Sequence, residues 1–202
     1  MFQQGCSLWK SFLLGDATAF EQLIAQHFRH LVNYGTKFTD DKELVKDTIQ
    51  ELFIRFWDKR ANLSDDVNPR AYLTASLRRA LHRKIQSLSR FQNFADVENT
   101  SDLFEMELSV EARLIEKEYG KNIAIKIAQN LEALPKRQKE VVYLKFFQEL
   151  SRDEISEIMG ISAQTVSNLL QMAIKNLRTK ISKDMLVYLM LMVGQSHPYK
   201  KS

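Results

Sequence analysis

The sequence predicts an all-α protein: two small helical domains joined by a flexible acidic linker, the C-terminal one a helix-turn-helix. Apolar residues recur at the spacing of helical turns through most of the chain, and strand-like alternation is rare. Only 6 of the 202 residues are Gly and only 3 are Pro, so few positions interrupt a helix. With 45% hydrophobic residues, the chain can bury one sizeable core or two small ones.

The N-terminal part contains four predicted helices. The first is the short stretch "SLWKSFLL", and the second follows Asp16, whose carboxylate suits a helix N-cap. The third covers "DDKELVKDTIQELFIRFWDKR". The fourth begins at Pro69, because proline is favoured at the first helical position, and the polar loop "ANLSDDVN" precedes it.

The third helix has two faces of different character. One is an ordinary core stripe formed by Val45, Ile49, Leu52 and Phe56. The other places Ile54 among acidic and amide side chains with no Lys or Arg: Glu43, Asp47, Gln50, Glu51 and Asp58. A solvated face normally mixes charges of both signs and has no isoleucine at its centre. The pattern therefore indicates a face with a role beyond solvation.

Charge is unevenly distributed along the chain, although its net value is only +4. Residues 67–95 contain six Lys or Arg and no acid, residues 96–118 contain eight acids and two bases, and residues 162–202 contain six bases and one acid. Two basic blocks separated by an acidic stretch suggest two surfaces for a polyanion with a tether between them. Two solvated helix faces remain the alternative.

The stretch "RDEISEIMGISAQTVSNLLQMAIKNL" fits a helix-turn-helix. Ile155 and Met159 point inward, Gly160 takes the turn, Ile161 plugs it and Ser162 caps the second helix. The second helix packs on the first through Val166, Leu169, Leu170 and Ala173. Its outer face is a polar row able to pair with base edges, ending in a cation: Gln164, Ser167, Asn168, Gln171 and Lys175. An αα-hairpin with no DNA role remains the alternative.

The sequence argues against an enzyme and against a membrane protein. It contains no catalytic triad order, no Gly-rich phosphate loop and no spaced metal ligands, so we expect no catalytic residues, metal, cofactor or small-molecule substrate. The apolar stretch "MLVYLMLMVG" has ten residues, whereas a bilayer span needs about 20. With one cysteine and no leader sequence, we expect a cytoplasmic protein.

Three motifs resemble the extracytoplasmic-function sigma factors of the sigma-70 family. "DTIQELFIRFW" resembles the core-binding helix D-x-x-Q-E-x-F-x-x-x-W, and "NPRAYLTASLRR" resembles the promoter-melting helix N-P-R-x-W-L. "LPKRQKEVVYLKFFQELSRDEISEIMGISAQTV" resembles the C-terminal promoter-binding domain. The three motifs in this order and spacing are far more specific than any one alone, and the match covers nearly the whole chain.

The resemblance implies a protein that binds RNA polymerase core and directs it to promoter DNA. Residues 1–90 would form domain two, which melts the minus-ten element, and residues 91–110 the linker. Residues 111–183 would form domain four, which binds the minus-thirty-five element, followed by an apolar helix and tail at 184–202. The resemblance also implies an anti-sigma factor as a partner, which in many family members is membrane-anchored. An autonomous helix-turn-helix regulator is the alternative function.

The resemblance also implies site residues. The acidic face of the third helix would bind the polymerase clamp helices through Asp47, Gln50, Glu51, Ile54 and Asp58, with Phe53 and Trp57 packed inside. The minus-ten contacts would be Arg70, Tyr72, Arg78, Arg79, Arg83 and Lys84, where Tyr72 is either a core aromatic or a stacking surface. A flipped base would be captured by loop candidates Asn62, Ser64 and Asp65. The minus-thirty-five contacts would be Arg152, Gln164, Thr165, Ser167, Asn168, Gln171 and Lys175.

The chain departs from the family pattern at two places. Arg79 stands where family members often have Asn, and the second helix of the helix-turn-helix lacks the usual arginines after Thr165 and Val166. Fewer cations imply less affinity from phosphate contacts and more reliance on hydrogen-bond readout or on the polymerase.

Overall fold

A computed structural model of the chain describes residues 2–91, 103–105 and 129–178, and all regular structure in these ranges is helical. The N-terminal unit contains α1 (Phe2–Leu13), α2 (Ala17–Gly35), α3 (Lys42–Lys59) and α4 (Pro69–Phe91). The C-terminal unit contains α5 (Lys136–Val142), α6 (Arg152–Met159) and α7 (Ala163–Arg178). The all-helical prediction is confirmed. The predicted apolar helix at 185–194 lies outside the described residues.

In the described ranges, no helix combines the length and the apolar character that a membrane crossing requires.

Side-chain caps begin three helices of the N-terminal unit, α2, α3 and α4. As predicted, the carboxylate of Asp16 accepts hydrogen bonds from the first-turn amides of α2, at 2.8 Å from Thr18 N and 3.1 Å from Ala19 N. Asp41 caps α3 in the same way. The amide oxygen of Asn68 accepts from the backbone of α4, which begins at Pro69 as predicted. Each such cap stabilises its helix by about 1 kcal/mol.

The core of the N-terminal unit is built on one face of α3. All four residues of the predicted stripe are buried: Val45, Ile49, Leu52 and Phe56. Gly35 of α2 faces this stripe, and a Cβ there would lie 2.5 Å from Cγ1 of Val45. Only a glycine lets the two helices approach this closely.

An aromatic cluster fills the space between α1, α2 and α3. The ring of Phe20 lies 5.2 Å from Phe12 and 5.1 Å from Trp57, with ring centroids as reference. Phe53 is buried and meets Phe20 edge-on at 6.1 Å. These contacts confirm that Phe53 and Trp57 pack inside and fix the rotation of α3 about its axis.

The C-terminal unit contains the predicted helix-turn-helix. Gly160 adopts φ 64° at the turn, a left-handed conformation that favours glycine. The hydroxyl of Ser156 donates to the carbonyl of Ile161 at 2.6 Å, which ties the end of α6 to the turn. The hydroxyl of Ser162 accepts from Thr165 N at 3.1 Å and so caps α7.

Two residues that were predicted to lie inside this motif are less buried than expected. Ile155, Met159, Val166 and Ala173 are buried as expected, whereas Leu169 and Leu170 are only half-buried. In addition, the side-chain amide of Asn176 donates to Gln138 at 2.9 Å, linking α7 to α5.

Two residues of the predicted linker, Phe104 and Glu105, contact the C-terminal unit. Phe104 is fully buried, with its ring 5.7 Å from that of Tyr143. Glu105 forms ion pairs with Lys136 at 2.7 Å and with Lys139 at 3.1 Å. The hydrogen bond from Lys136, together with that from Lys139, lowers the pKa of Glu105. Residues 103–105 are too few to produce a periodic pattern, so no sequence pattern indicates this contact.

His27 is a buried titratable group in the N-terminal unit. It is 6% exposed, and its Nε2 atom has no hydrogen-bond partner in the described part of the chain. Burial, followed by the charges of His30 and Arg70, lowers its pKa from 6.5 to about 4. The fold therefore requires the neutral imidazole.

We expect the N-terminal unit to lose stability in mild acid. The unfolded chain protonates His27 near pH 6.5 and the folded chain only near pH 4, so its stabilisation is complete above pH 6.5 and is lost as pH falls towards 4. Between pH 7 and 5.5 this residue should cost about 1 kcal/mol of unfolding free energy. Urea titrations of wild type and His27→Leu measure the difference. An equal pH dependence in both proteins would contradict the assignment.

Candidate protein and nucleic-acid interfaces

The outward face of α3 brings together the five predicted polymerase-binding residues. Burial of the core stripe leaves the following side chains exposed along one side of the helix: Asp47, Gln50, Glu51, Ile54 and Asp58. Ile54 is 63% exposed, although a branched apolar side chain gains free energy from burial. We call this surface the acidic face. The acidic face thus has one apolar side chain at its centre and carboxylates around it.

Two ion pairs that sequence reasoning did not predict border the acidic face. The ammonium of Lys84 in α4 lies 2.7 Å from the carboxylate of Glu51, and Lys46 lies 2.7 Å from Glu43 one turn along α3. Glu51 and Lys84 are 33 residues apart in sequence, so their pairing depends on the packing of α3 against α4. The predicted polymerase and minus-ten surfaces are therefore direct neighbours.

The predicted minus-ten residues lie along α4 with unequal exposure. Arg79 and Arg83 are exposed, whereas Arg70, Arg78 and Lys84 are half-buried. Burial, and then the nearby charge of Arg78, lowers the pKa of His82 on the same helix. The helix thus presents fixed positive charge beside a histidine that resists protonation.

Tyr72 takes part in the aromatic core while remaining partly exposed. Its ring stacks on Phe56 at 5.6 Å and meets Trp9 edge-on at 5.9 Å. These contacts favour the interpretation of Tyr72 as a core aromatic, and they fix the orientation of whatever ring surface remains accessible.

The loop of residues 61–68, which we call the base-capture loop, exposes all three predicted candidates: Asn62, Ser64 and Asp65. Within the loop, the hydroxyl of Ser64 accepts from Asp66 N at 3.2 Å. The carboxylate of Asp65 lies 3.9 Å from Lys10 of α1. Sequence reasoning missed the indole N–H of Trp9, which donates to the carbonyl of Ser64 at 2.9 Å.

The outer face of α7 retains part of the predicted polar row. Gln164, Asn168, Gln171 and Lys175 are exposed, and the amide of Gln164 donates to that of Asn168 at 3.0 Å. This bond orients the oxygen and nitrogen of both side chains before any ligand binds.

Two of the predicted minus-thirty-five residues, one of them from the polar row, point elsewhere. Ser167 is half-buried, and its hydroxyl donates to the carbonyl of Ala163 at 3.1 Å. The hydroxyl of Thr165 is paired with that of Ser162 at 2.8 Å. Sequence reasoning did not select Met172, which is 51% exposed and lies one turn beyond Asn168.

Arg152, the remaining minus-thirty-five candidate, is exposed at the start of α6. Its guanidinium lies 3.7 Å from Asp153. Among the residues that the structure describes, His, Cys, Asp and Glu side chains form no group of three able to hold a metal ion.

Comparison with known families matches both units of the chain. Residues 23–91 match the family model described as Sigma-70 region 2, and residues 125–177 match Sigma-70, region 4. These are the two domains that the sequence assigned to an extracytoplasmic-function member, in the predicted order.

Curated relatives agree with this assignment. The chain is 30% identical over 164 residues to RNA polymerase sigma factor NccH of Alcaligenes xylosoxydans xylosoxydans, covering 76% of this chain and 82% of the relative. It is 23% identical over 166 residues to RNA polymerase sigma factor YlaC of Bacillus subtilis, covering 82% and 94%.

Solved structures show the same fold. CnrH, in complex with the cytosolic domain of CnrY, matches with a TM-score of 0.57 at 20% identity, over 87% of this chain and 95% of that one. RpoE from Bartonella quintana, in complex with the anti-sigma factor NepR, matches with a TM-score of 0.55 at 16% identity, over 83% and 96%. The chain therefore belongs to the sigma-70 family of RNA polymerase sigma factors.

Proposed function

We propose that the acidic face of α3 is the surface through which this sigma factor binds RNA polymerase core. The exposure of Ile54 at the centre of that face is the observation that carries the proposal. An interface needs a desolvated apolar centre, and charge around it sets register and association rate. Asp47, Glu51 and Asp58 supply that charge towards a basic partner.

The minus-ten element is proposed to bind α4 and the base-capture loop. Arg79 and Arg83 are exposed on α4, where they can neutralise phosphates of the opened strand. A base leaves the stack at a cost of a few kcal/mol, so the loop must offset that cost with contacts of its own. Asn62 is exposed there and carries both a donor and an acceptor for a base edge.

The minus-thirty-five element is proposed to bind the outer face of α7 in the major groove. Asn168 and Gln171 can each pair bidentately with an adenine, and Lys175 can contact phosphate. Few cations lie on this face, so hydrogen bonds to bases and the attached polymerase supply much of the binding free energy.

An anti-sigma factor is a further proposed partner. The similar structure of RpoE contains the anti-sigma factor NepR, and that of CnrH contains the cytosolic domain of CnrY. A sigma factor acts on RNA polymerase in the cytoplasm, and an anti-sigma factor, whether soluble or membrane-anchored, would bind it there. We therefore propose a cytoplasmic location for this chain. The role of this chain is to direct RNA polymerase to promoters, and we propose that it catalyses no reaction of its own.

Reversing one charge on the acidic face should abolish polymerase binding. Asp47→Lys places a cation opposite a basic partner, which should cost several kcal/mol of binding free energy through like-charge contact. Glu51→Arg should do the same, and it also replaces the ion pair with Lys84 by two neighbouring positive charges. A titration of labelled core polymerase measures the affinity, and circular dichroism verifies that the helices persist.

The matched control is Glu21→Lys, an equal charge reversal at an exposed position of α2 outside the acidic face. It should leave core affinity within about twofold, because an isolated surface charge contributes little. Unchanged affinity in both acidic-face variants, or equal losses in all three proteins, would refute this assignment.

Two kinds of substitution on α7 should have different effects on promoter choice. Asn168→Ala or Gln171→Ala should relax base preference at one or two positions, each worth roughly 1–3 kcal/mol of discrimination, with the salt dependence nearly unchanged. Lys175→Ala should weaken all promoters alike and reduce the salt slope by about one unit. Transcription by holoenzyme from a randomised minus-thirty-five library separates these effects. Identical selected promoters for the parent and both amide variants would show that this face does not read sequence.

A further inference from the structure

Helix α1 contacts the middle of the base-capture loop through one side chain. Trp9 is 1% exposed, and its indole N–H donates to the backbone carbonyl of Ser64 at 2.9 Å. The two residues are 55 positions apart in sequence. A buried tryptophan usually finds one partner for its N–H, and here that partner is the exposed loop itself.

The two ends of the loop are fixed by other contacts. At the first end, Arg60 donates to the carbonyl of Trp57 at 2.6 Å, and its guanidinium lies 4.5 Å from the centre of the Trp57 ring. The carbonyl of Arg60 then accepts from Leu63 N at 3.1 Å. At the other end, Asn68 caps α4. Residue 64 lies between these anchors, where the backbone would otherwise have most freedom.

The same indole ring also contacts α4. It meets Tyr72 edge-on at 5.9 Å and packs against Phe12 at 5.2 Å within α1. One rigid side chain thus sets the distance between the loop and the first turn of the basic helix. The neighbouring pair of Lys10 and Asp65, at 3.9 Å and largely exposed, adds only a weak second contact.

We propose that Trp9 is a positioning residue for promoter melting, holding the base-capture loop in the conformation that receives an unpaired base. A loop ordered by folding does not have to be ordered again when the base binds, so the affinity for that base increases. Trp9 acts through Ser64 and is itself buried away from DNA. The inference rests on the proposed function of the loop and extends the minus-ten surface to α1.

The test uses holoenzyme and single-stranded DNA. Wild-type holoenzyme first selects its best non-template oligonucleotide from a randomised minus-ten library. Each base of that oligonucleotide is then replaced in turn by an abasic site, and binding is measured by fluorescence anisotropy. The captured base is the one whose removal weakens wild-type binding by about tenfold, the scale of one bound base.

Trp9→Phe keeps an aromatic ring and removes the N–H donor. It should weaken binding of the intact oligonucleotide by about fivefold, the net contribution of one hydrogen bond, and leave binding of the abasic oligonucleotide unchanged. Replacing Trp9 by 3-benzothienylalanine, which keeps both fused rings and exchanges N–H for sulfur, should give the same result. This second variant answers the question even if the smaller phenylalanine disturbs folding.

The matched control is Phe38→Leu, which removes a buried ring that packs against Tyr34 of α2 and belongs neither to α1 nor to the loop. It should lower thermal stability yet keep the full tenfold response to the abasic site. Equal weakening of the intact and abasic oligonucleotides by the Trp9 variants would overturn the inference, as would a Phe38→Leu protein with the same base-selective loss. Either result would leave the proposed capture of a base by the loop intact. A wild-type protein insensitive to every abasic site would instead refute base capture by the loop, and the inference with it.

Discussion

The packing of α3 into the N-terminal unit is the constraint on which the other features depend. Val45 and Ile49 are completely buried. Gly35 lets α2 pack directly against Val45 of α3, because a Cβ at residue 35 would lie 2.5 Å from Cγ1 of Val45. Because helix rotation would expose these residues, the opposite side of α3 has no freedom to turn inward. Ile54 is therefore exposed by the burial of its neighbours, and each fully buried aliphatic side chain contributes about 1.5–3 kcal/mol to holding it there.

The same packing makes neighbours of two surfaces with opposite charge. Glu51 and Lys84 form an ion pair that is half-exposed, and such pairs contribute about 0.2–1 kcal/mol. A contact of this strength can exchange for an intermolecular one at little cost, so Glu51 remains available to a basic protein and Lys84 to a phosphate. The proposed polymerase surface and the proposed minus-ten surface therefore lie side by side on one small helical unit.

In the C-terminal unit, a short turn fixes the position of α7, the helix proposed to contact the minus-thirty-five element. Gly160 supplies the left-handed backbone, and Ser156 and Ser162 satisfy polar groups on either side of it. The reading face that results is narrow: Gln164 and Asn168 orient each other, while the hydroxyls of Thr165 and Ser167 are used inside the motif. The proposed base readout by this helix therefore depends on few side chains.

The sequence by itself determined the features whose causes are local. Helix starts follow from side chains within three residues of the capped amides, as at Asp16 and before Pro69, and the buried stripe of α3 follows from its spacing. Family membership was also visible, because its motifs are contiguous. Only the tertiary structure decided which distant groups meet: Trp9 with the Ser64 carbonyl, Glu51 with Lys84, and Glu105 with Lys139. It also decided that Ser167 turns to its own helix. The physical reason is that periodicity specifies which face of a helix is buried, whereas the partner of a polar atom depends on the position of every helix around it.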